Sequence, residues 1–299
     1  MSDVDLPAAW VQRVSRYPAD GGPPGSIWVE TVPRLLDEAL TRWDLVLDGR
    51  ARTGWTAVVV PVRRGAQRLA LKVAWPHREG RVEHLALGAW NGDGAVRLVA
   101  ALPSQGLLLL ERLDADEDLT AVWADEACAI VGGLLARLHV PAPPRVPRIA
   151  SYLAPHLERM ASRPAVPRRV VSRTQGLARD LLTGDVPELL LHTDLHYENV
   201  LRSPDGRWLA IDPKPLAGHP GFEVWPLLRN RAGEMGTGSA LRWSVRNRLA
   251  IAAEAMGVDE EEVRAWTLLR AGLELSWAST LEGEEALTTC VAVGKALED

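Results

Sequence analysis

The sequence predicts an α+β fold in which a β-rich N-terminal part is followed by a mostly helical C-terminal part. Short apolar and β-branched runs separated by turn residues dominate the first part of the 299-residue chain. From Leu119 onward, apolar residues recur at the spacing of one helix face. The length suffices for two lobes with a sizeable core, so we predict lobes at residues 1–113 and 114–299.

The first part is expected to begin with an arm and a loop through residue 34, because the cluster PADGGPPG at residues 18–25 interrupts regular structure. A short helix is predicted over about residues 33–43, where leucine and alanine fall at helical spacing. The remaining predicted elements form a small, mostly antiparallel sheet with one inserted helix: a hairpin of strands at 56–62 and 68–74, a helix at 81–90, and strands at 95–102 and 106–113.

The second part is expected to follow a solvated acidic linker, DADED, at residues 114–118. A broad apolar stripe predicts a helix from Leu119 to the proline-rich segment at 140–147. Short strands, ELLLH and RWLAID, are expected to flank the segment described next. Further helices are predicted at about residues 149–162, 168–183, 240–257, 259–281 and 284–297.

The residues best suited to catalysis lie in LLLHTDLHYENVL (189–201) and the following WLAIDP (208–213). Asp194, Asn199 and Asp212 have the spacing of a loop that catalyses phosphoryl transfer from ATP. Asp194 would accept the proton of the attacking hydroxyl. Asn199 and Asp212 would present the oxygen ligands that Mg²⁺ prefers. The sequence therefore predicts a phosphotransferase that uses ATP and Mg²⁺.

Two histidines flank the candidate base. His192 and His196 have an i, i+4 spacing that zinc ligands can share, but the segment offers neither a helix nor a third ligand. We therefore interpret them as residues that brace the catalytic loop through hydrogen bonds, with plain packing as the alternative.

A lysine inside an apolar strand predicts a phosphate contact. Lys72 in LALKVA is costly to bury unless it is paired, and Glu83 on the predicted helix is the expected partner, with Glu79 as the alternative. The Lys–Glu pair would present the ammonium group to the α- and β-phosphates of the nucleotide, in the cleft between the predicted lobes. An exposed edge-strand lysine remains the competing interpretation.

The segment DGRARTGWTAVVV at residues 48–60 is the candidate phosphate-covering loop. It has neither a GxGxxG nor a Walker sequence, but its two glycines, Gly49 and Gly54, allow a tight turn whose backbone N–H groups can reach phosphate. Thr53 and Gly54 are the candidate nucleotide-binding residues of this loop. An ordinary hairpin turn is the alternative.

Composition narrows the class of protein. A net charge of -5 argues against nucleic-acid binding and suits a cationic small molecule. The N-terminus lacks a signal-peptide pattern and no uncharged run is long enough to span a membrane, so we expect a cytoplasmic protein. Cys128 and Cys290 lack metal-ligand or redox spacing and are expected to be buried as small hydrophobic residues.

These motifs resemble the aminoglycoside and hydroxyurea antibiotic-resistance kinases, which include streptomycin 6-phosphotransferases. LALKVA, the helix and strand that follow, LLLLERLD, LLHTDLHYENVL and WLAIDPKPLAGHPGFEVWPLLRN carry the resemblance across residues 48–230. It implies a two-lobe protein-kinase-like fold. It also implies Asp194 as the catalytic base and Mg²⁺ binding by Asn199 and Asp212.

The resemblance further implies a hinge that meets adenine through backbone groups of Glu111, Arg112 and Leu113, with Lys72 and Glu83 at the phosphates. The chain departs from the family pattern at positions in and after the catalytic loop. Thr193 stands where glycine is usual and is expected to restrict the loop backbone. Pro215 and Glu223 replace a common glycine and a common aspartate, which puts the identity of the acceptor in question.

A cationic, polyhydroxylated antibiotic such as streptomycin is the expected acceptor. Acidic and aromatic residues would bind it by pairing with or stacking on its guanidinium groups: Glu223, Glu274, Trp277, Glu282, Glu284 and Glu285. Hydroxyurea, another metabolite or a sugar is the alternative acceptor. A pseudokinase-like module that only binds nucleotide is the alternative from another class. The sequence does not specify an oligomeric state.

Overall fold

The computed structural model describes residues 4–162, 166–184, 186–281 and 283–298, and the side chains of 276–287 lie outside this description. The chain divides into two compact units. One consists of Met1–Asp114 with the turn Ser203–Arg207, and the other of Ala115–Arg202 with Trp208–Asp299. The division at Asp114 is adjacent to the predicted lobe boundary, whereas the assignment of the turn to the first unit was not predicted.

The first unit contains an antiparallel sheet. Its strands are β1 (Val46–Leu47), β2 (Arg52–Thr53), β3 (Ala57–Arg64), β4 (Gln67–Ala74), β5 (Leu98–Leu102) and β6 (Leu107–Glu111). Its helices are α1 (Ala8–Val14), α2 (Gly25–Arg42) and α3 (Glu83–Trp90). The strand order is β1-β3-β4-β6-β5, and β2 pairs with β3. Inward-facing residues of β3, β4 and β6 form one core cluster with the apolar face of α2.

The predicted N-terminal arm and loop are wrong, because α1 and most of α2 lie within residues 1–34. The breaker cluster separates these helices, with Pro24 immediately before α2. The predicted start at residue 33 treated Pro33 as a helix boundary, but Pro33 lies inside α2. The buried stripe that includes Trp28, Val32 and Leu36 maintains the helix across the proline.

The second unit is mostly helical. Its helices are α4 (Ala124–Leu138), α5 (Ile149–Ala161), α6 (Arg168–Leu182), α7 (Trp225–Arg229), α8 (Gly238–Met256), α9 (Glu260–Leu281) and α10 (Gly283–Leu297). Its strands are β7 (Asp114–Asp118), β8 (Leu189–Leu191), β9 (Val200–Arg202), β10 (Trp208–Ala210) and β11 (Leu216–Gly218). A second core cluster joins α5, α6 and α9 to β8 and β11.

Two small sheets position the catalytic segment. One has the strand order β10-β9-β7, and the other pairs β11 with β8. The expected linker at 114–118 is therefore wrong: the acidic side chains are mostly exposed, while the backbone of β7 pairs with β9. The acidic residues correctly predicted an exposed segment, but they gave no indication of a strand. Backbone hydrogen bonds between strands do not require particular side chains.

Within the part of the chain that the structure describes, no helix is long and apolar enough to cross a membrane. Cys128 and Cys290 are both buried, which confirms their predicted role as small hydrophobic residues. Burial raises the pKa of the Cys128 thiol to about 11, so this group remains protonated near neutral pH.

Candidate active site

The catalytic loop follows β8. Leu190 and Leu191 of this strand are fully buried and anchor the start of the loop in the core. Asn199 ends the loop in a short 3₁₀ turn, and its Nδ2 donates to the backbone carbonyl of Asp194 over 2.8 Å. The N–H of Ile211 donates to the carbonyl of Asn199 over 2.9 Å. These bonds hold Asp194 and Asn199 in one loop and bring the residue before Asp212 against it.

His192 braces this loop from inside the protein. Its Nε2 lies 2.9 Å from the carbonyl oxygen of Ile211, and its Nδ1 accepts the backbone N–H of Asp194 at 3.3 Å. These partners require the Nε2–H tautomer. Burial lowers the pKa of His192, so the ring is neutral at pH 7. The proposed bracing role is thus consistent with the contacts.

Glu223 is completely buried and lies against the backbone of the catalytic loop. Its two carboxylate oxygens accept the backbone N–H groups of His192 and Thr193, each at 2.7 Å. His139 Nε2 lies 3.6 Å from Oε1, which is too long for a strong hydrogen bond but close enough for attraction. Burial opposes ionisation, but His139 and the His192 N–H outweigh it and lower the pKa of Glu223.

Thr193 has a left-handed backbone with φ of 58°. Such a conformation is unusual for a β-branched residue and favours glycine. Its hydroxyl donates to the carbonyl of Lys214, and its N–H is held by Glu223. The loop therefore takes the conformation that a glycine would favour, although threonine occupies the position.

Asp212 follows β10 and also has a positive φ, 56°. Lys214 Nζ lies 2.9 Å from Asp212 Oδ2 and 3.2 Å from the Asp212 carbonyl oxygen. The backbone N–H of Lys214 donates to the carbonyl of His192 over 2.9 Å. The sequence indicated the lysine of IDPK only as a mark of resemblance. Its contact with the candidate metal ligand Asp212 was not predicted from the sequence.

The first unit holds the predicted lysine–glutamate pair. Lys72 Nζ lies 2.6 Å and 2.8 Å from the two carboxylate oxygens of Glu83, and both side chains are buried. The pair joins β4 to the first turn of α3. Pairing with Glu83 is therefore confirmed, and the exposed edge-strand interpretation of Lys72 is wrong.

Thr53 and Gly54 lie at the hairpin between β2 and β3. The N–H of Gly54 donates to the carbonyl of Ala57 over 2.9 Å. This bond occupies the N–H of Gly54, so the prediction that this group reaches phosphate is corrected. Two side chains of α1, Trp10 and Arg13, donate to the carbonyl of Gly54.

The predicted adenine hinge lies at the end of β6. The side chain of Arg112 donates to the carbonyls of Leu69 and Val62 and pairs with Asp48 at 2.9 Å, so it binds the strands of the sheet together. Glu111 Oε1 accepts the backbone N–H of Arg97 over 2.7 Å. Leu113 is half-buried. The backbone contacts with adenine remain a prediction for Glu111, Arg112 and Leu113.

The candidate substrate residues occupy different environments. Glu223, predicted to bind substrate, is corrected to a support of the loop, because no part of its side chain reaches solvent. Glu274 is buried, with its carboxylate oxygens 3.5 Å from Arg229 and 3.7 Å from Arg270. The side chain of Trp277 lies outside the described residues, as do those of Glu282, Glu284 and Glu285.

Together, the buried lysine–glutamate pair of an antiparallel sheet and the Asp194, Asn199 and Asp212 loops define a phosphotransferase with a protein-kinase-like fold. The model of the family described as aminoglycoside/hydroxyurea antibiotic resistance kinase matches residues 42–281. The chain belongs to this family.

Named relatives agree with this assignment. The chain is 37% identical to streptomycin 6-kinase of Streptomyces griseus, over 94% of each chain. It is 40% identical to hydroxyurea phosphotransferase of Kitasatospora aureofaciens, over 95% of this chain and 83% of that one. Amicoumacin kinase hAmiN, solved with AMP-PNP, Ca²⁺ and Ami, shares the fold with a TM-score of 0.61 at 15% identity, covering 92% of this chain and 96% of that one.

Proposed function

We propose that this protein transfers the γ-phosphoryl group of ATP to a hydroxyl of an aminoglycoside of the streptomycin type. The observation that carries the proposal is the catalytic loop, in which the Asn199 side chain donates to the Asp194 carbonyl and the Asn199 carbonyl accepts the N–H of Ile211, the residue before Asp212. The identity to streptomycin 6-kinase over nearly the whole chain supports the acceptor class.

Asp194 is the proposed catalytic base. Its backbone is fixed at both polar groups: its N–H by His192 and its carbonyl by Asn199. A fixed backbone limits where the carboxylate can point, and positioning supplies most of the rate in phosphoryl transfer. The carboxylate would orient the acceptor hydroxyl and take its proton as the new P–O bond forms and the bond to ADP breaks.

Asn199 and Asp212 are the proposed metal ligands. Their donor atoms are an amide oxygen and carboxylate oxygens, which fit a hard ion such as Mg²⁺. When bound, Mg²⁺ would neutralise phosphate charge. Asn199 Nδ2 donates to the Asp194 carbonyl. The other atom of the amide, Oδ1, therefore faces away from that carbonyl. The loop thus orients this ligand without the metal.

Two lysines have proposed roles. Lys72, held by Glu83, would contact the α- and β-phosphates with its ammonium group. Lys214 would hold the Asp212 carboxylate in position and balance part of its charge, because its Nζ touches both the carboxylate and the carbonyl of that residue. A divalent ion binding to Asp212 must therefore compete with Lys214 for the carboxylate.

The acceptor is proposed to be cationic, in keeping with the net charge of -5. Glu274 is a weaker candidate for acceptor binding than its sequence context indicated, since its carboxylate already lies close to Arg229 and Arg270. Hydroxyurea is the second candidate acceptor, supported by 40% identity to a hydroxyurea phosphotransferase. We place the reaction in the cytoplasm, where ATP is available.

The test is mass spectrometry of acceptors incubated with the enzyme, ATP and Mg²⁺. Streptomycin, other aminoglycosides and hydroxyurea are compared in parallel, and the expected result is a single added phosphate on streptomycin. Asp194→Asn is the matched control, expected to lower kcat by about 10²–10⁴-fold while nucleotide still binds. Phosphate on hydroxyurea alone would transfer the assignment to the second candidate. No product with any of them would contradict the antibiotic assignment.

A further inference from the structure

The N-terminal helix α1 contacts the tip of the candidate phosphate-covering hairpin. Trp10 Nε1 and Arg13 Nη2 donate to the same backbone oxygen, the carbonyl of Gly54, over 2.8 Å and 2.9 Å. The contact joins residues 44 and 41 positions apart in the chain. Two donors converging on one carbonyl restrict both the position and the orientation of that peptide group.

The hairpin tip is held on its other side as well. The N–H of Gly54 donates to Ala57, and the carbonyl of Thr56 accepts the N–H of Trp75 at 2.7 Å. The guanidinium of Arg13 also stacks 4.8 Å from the ring centroid of Trp55. Trp55 is 70% exposed, although it lies between these anchored peptide groups. The tip is therefore fixed in its backbone and presents an exposed indole.

The donors stand on a rigid support. Trp10 is 3% exposed and packs edge-on against Trp28 of α2, with ring centroids 5.9 Å apart. The two tryptophans belong to the core cluster that also contains the inward face of the sheet. A donor on a buried ring cannot follow a moving loop, so the bond fixes the tip relative to that core.

We propose that α1 is a clamp that holds this hairpin in the position for nucleotide binding, with Trp10 and Arg13 as positioning residues. The proposal rests on the proposed function and on the sequence prediction that this hairpin covers the phosphates of the nucleotide. Kinase-type covering loops are usually glycine-rich. Here the segment Thr53–Ala57 contains a single glycine, and contacts from α1 replace backbone freedom as the means of setting the loop position.

The clamp is tested by two substitutions, each of which removes one donor. Trp10→Phe keeps an aromatic ring in the core without its N–H group. Arg13→Met keeps the aliphatic stem on a half-buried side chain, so it tests the clamp without disturbing the core. Trp75→Phe is the matched control. Its indole also donates to a backbone carbonyl of the first unit, that of Pro23 at 2.8 Å, but away from Gly54.

Binding of the ATP analogue AMP-PNP with Mg²⁺ is measured by calorimetry, and hydrogen exchange is measured for residues 52–57. Loss of one such hydrogen bond is expected to weaken AMP-PNP binding by about three- to tenfold in each clamp variant and to speed exchange at the hairpin tip. Neither change is expected in Trp75→Phe. The KM for ATP should rise along with the loss of AMP-PNP affinity in both clamp variants, whereas kcat and the KM for the acceptor should remain within about twofold of wild type in Trp75→Phe.

The outcomes separate the clamp from the function on which it rests. Wild-type AMP-PNP affinity in both clamp variants contradicts the clamp and leaves the phosphotransferase assignment intact. An equal loss of affinity in Trp75→Phe also contradicts it, because the effect would then be general destabilisation of the first unit. Wild-type protein that binds no nucleotide contradicts the proposed function, and the clamp's role with it.

Discussion

The hydroxyl of Thr193 donates to the backbone carbonyl of Lys214 over 2.5 Å. Thr193 is left-handed, with φ of 58°, which costs a non-glycine residue about 1–3 kcal/mol. The hydrogen bond joins the catalytic loop to the segment after Asp212 and offsets part of that cost. A threonine at this position is therefore compensated locally, and the compensation depends on a bond that glycine cannot make.

Two substitutions of Thr193 separate the effect of its backbone strain on stability from the effect of its hydrogen bond to Lys214. Thr193→Ala loses the bond to Lys214 but keeps a Cβ at positive φ, so we expect it to lower stability by about 1–2 kcal/mol. Thr193→Gly loses the same bond and relieves the strain, and we expect it to remain within about 1 kcal/mol of wild type. Thermal unfolding of the three proteins measures the order. An alanine variant more stable than the glycine variant would show that strain at this position is negligible.

The carboxylate of Glu223 is expected to make the free energy of unfolding depend on pH in the acid range. Its folded-state pKa is lowered relative to the unfolded value of about 4.3, so its contribution is complete above that pH. The contribution is lost as the pH falls through the lower folded-state pKa. Glu223→Gln places an NH₂ group against one of two backbone N–H donors, and we expect a loss of about 2–3 kcal/mol at pH 7.

Unfolding measured between pH 7 and pH 3 tests this assignment. The Glu223→Gln variant should lose less stability than wild type between pH 5 and pH 3, because its side chain does not titrate. Glu223→Asp is the control that retains the charge and should retain the acid dependence. Parallel pH profiles for wild type and the glutamine variant would mean that another group governs the acid transition.

The Lys72–Glu83 pair is predicted to serve catalysis more than stability. Lys72→Met leaves a buried carboxylate without its cation, which typically costs about 3–5 kcal/mol. The double variant Lys72→Met with Glu83→Leu removes both charges, so we expect it to recover most of that stability while phosphotransfer stays absent. Thermal unfolding and turnover are measured together.

The control for this pair is Arg34→Met, which breaks an exposed pair with Glu38 on α2 and should change stability by less than about 1 kcal/mol. A double variant that is both stable and fully active would remove Lys72 from the proposed site.

Elements with a strong local signal could be predicted from the sequence. The β3–β4 hairpin and α4 follow from β-branched runs and from an apolar stripe, and the spacing of Asp194, Asn199 and Asp212 marked the catalytic loop. Local signals failed where breakers or charges were prominent. Pro33 concealed the length of α2, and the acidic residues of β7 concealed a strand whose stability comes from backbone pairing with β9.

Support of the site could not be predicted, because it depends on contacts between distant residues. Nothing near Trp10 in the sequence indicates that its indole reaches Gly54. Glu223 was predicted to bind substrate as an acidic residue that replaces the family's common aspartate, but the fold turns it inward onto the N–H groups of His192 and Thr193. Residue type suggested chemistry at Glu223, and only tertiary structure separates a ligand-binding group from a support.

The pair of Lys214 and Asp212 leads to a prediction about metal affinity. Because Lys214 Nζ lies 2.9 Å from the carboxylate, the ammonium competes with any divalent ion for Asp212. The Coulomb attraction between unit charges at such a distance is about 1–6 kcal/mol between aqueous and near-surface conditions. The neutral variant Lys214→Met should therefore bind Mn²⁺ about three- to tenfold more tightly in the absence of nucleotide. Electron paramagnetic resonance measures free Mn²⁺ directly.

Turnover should change in the opposite direction. Without Lys214 the carboxylate of Asp212 loses a contact that orients it, so we expect kcat to fall by about tenfold even at saturating metal. Lys214→Arg preserves the charge and should keep Mn²⁺ affinity near wild type, while Asp212→Asn should weaken Mn²⁺ binding. Unchanged Mn²⁺ affinity in Lys214→Met would show that the lysine does not compete at this carboxylate. Tighter Mn²⁺ binding with undiminished kcat would show that Lys214 balances the charge of Asp212 without positioning it.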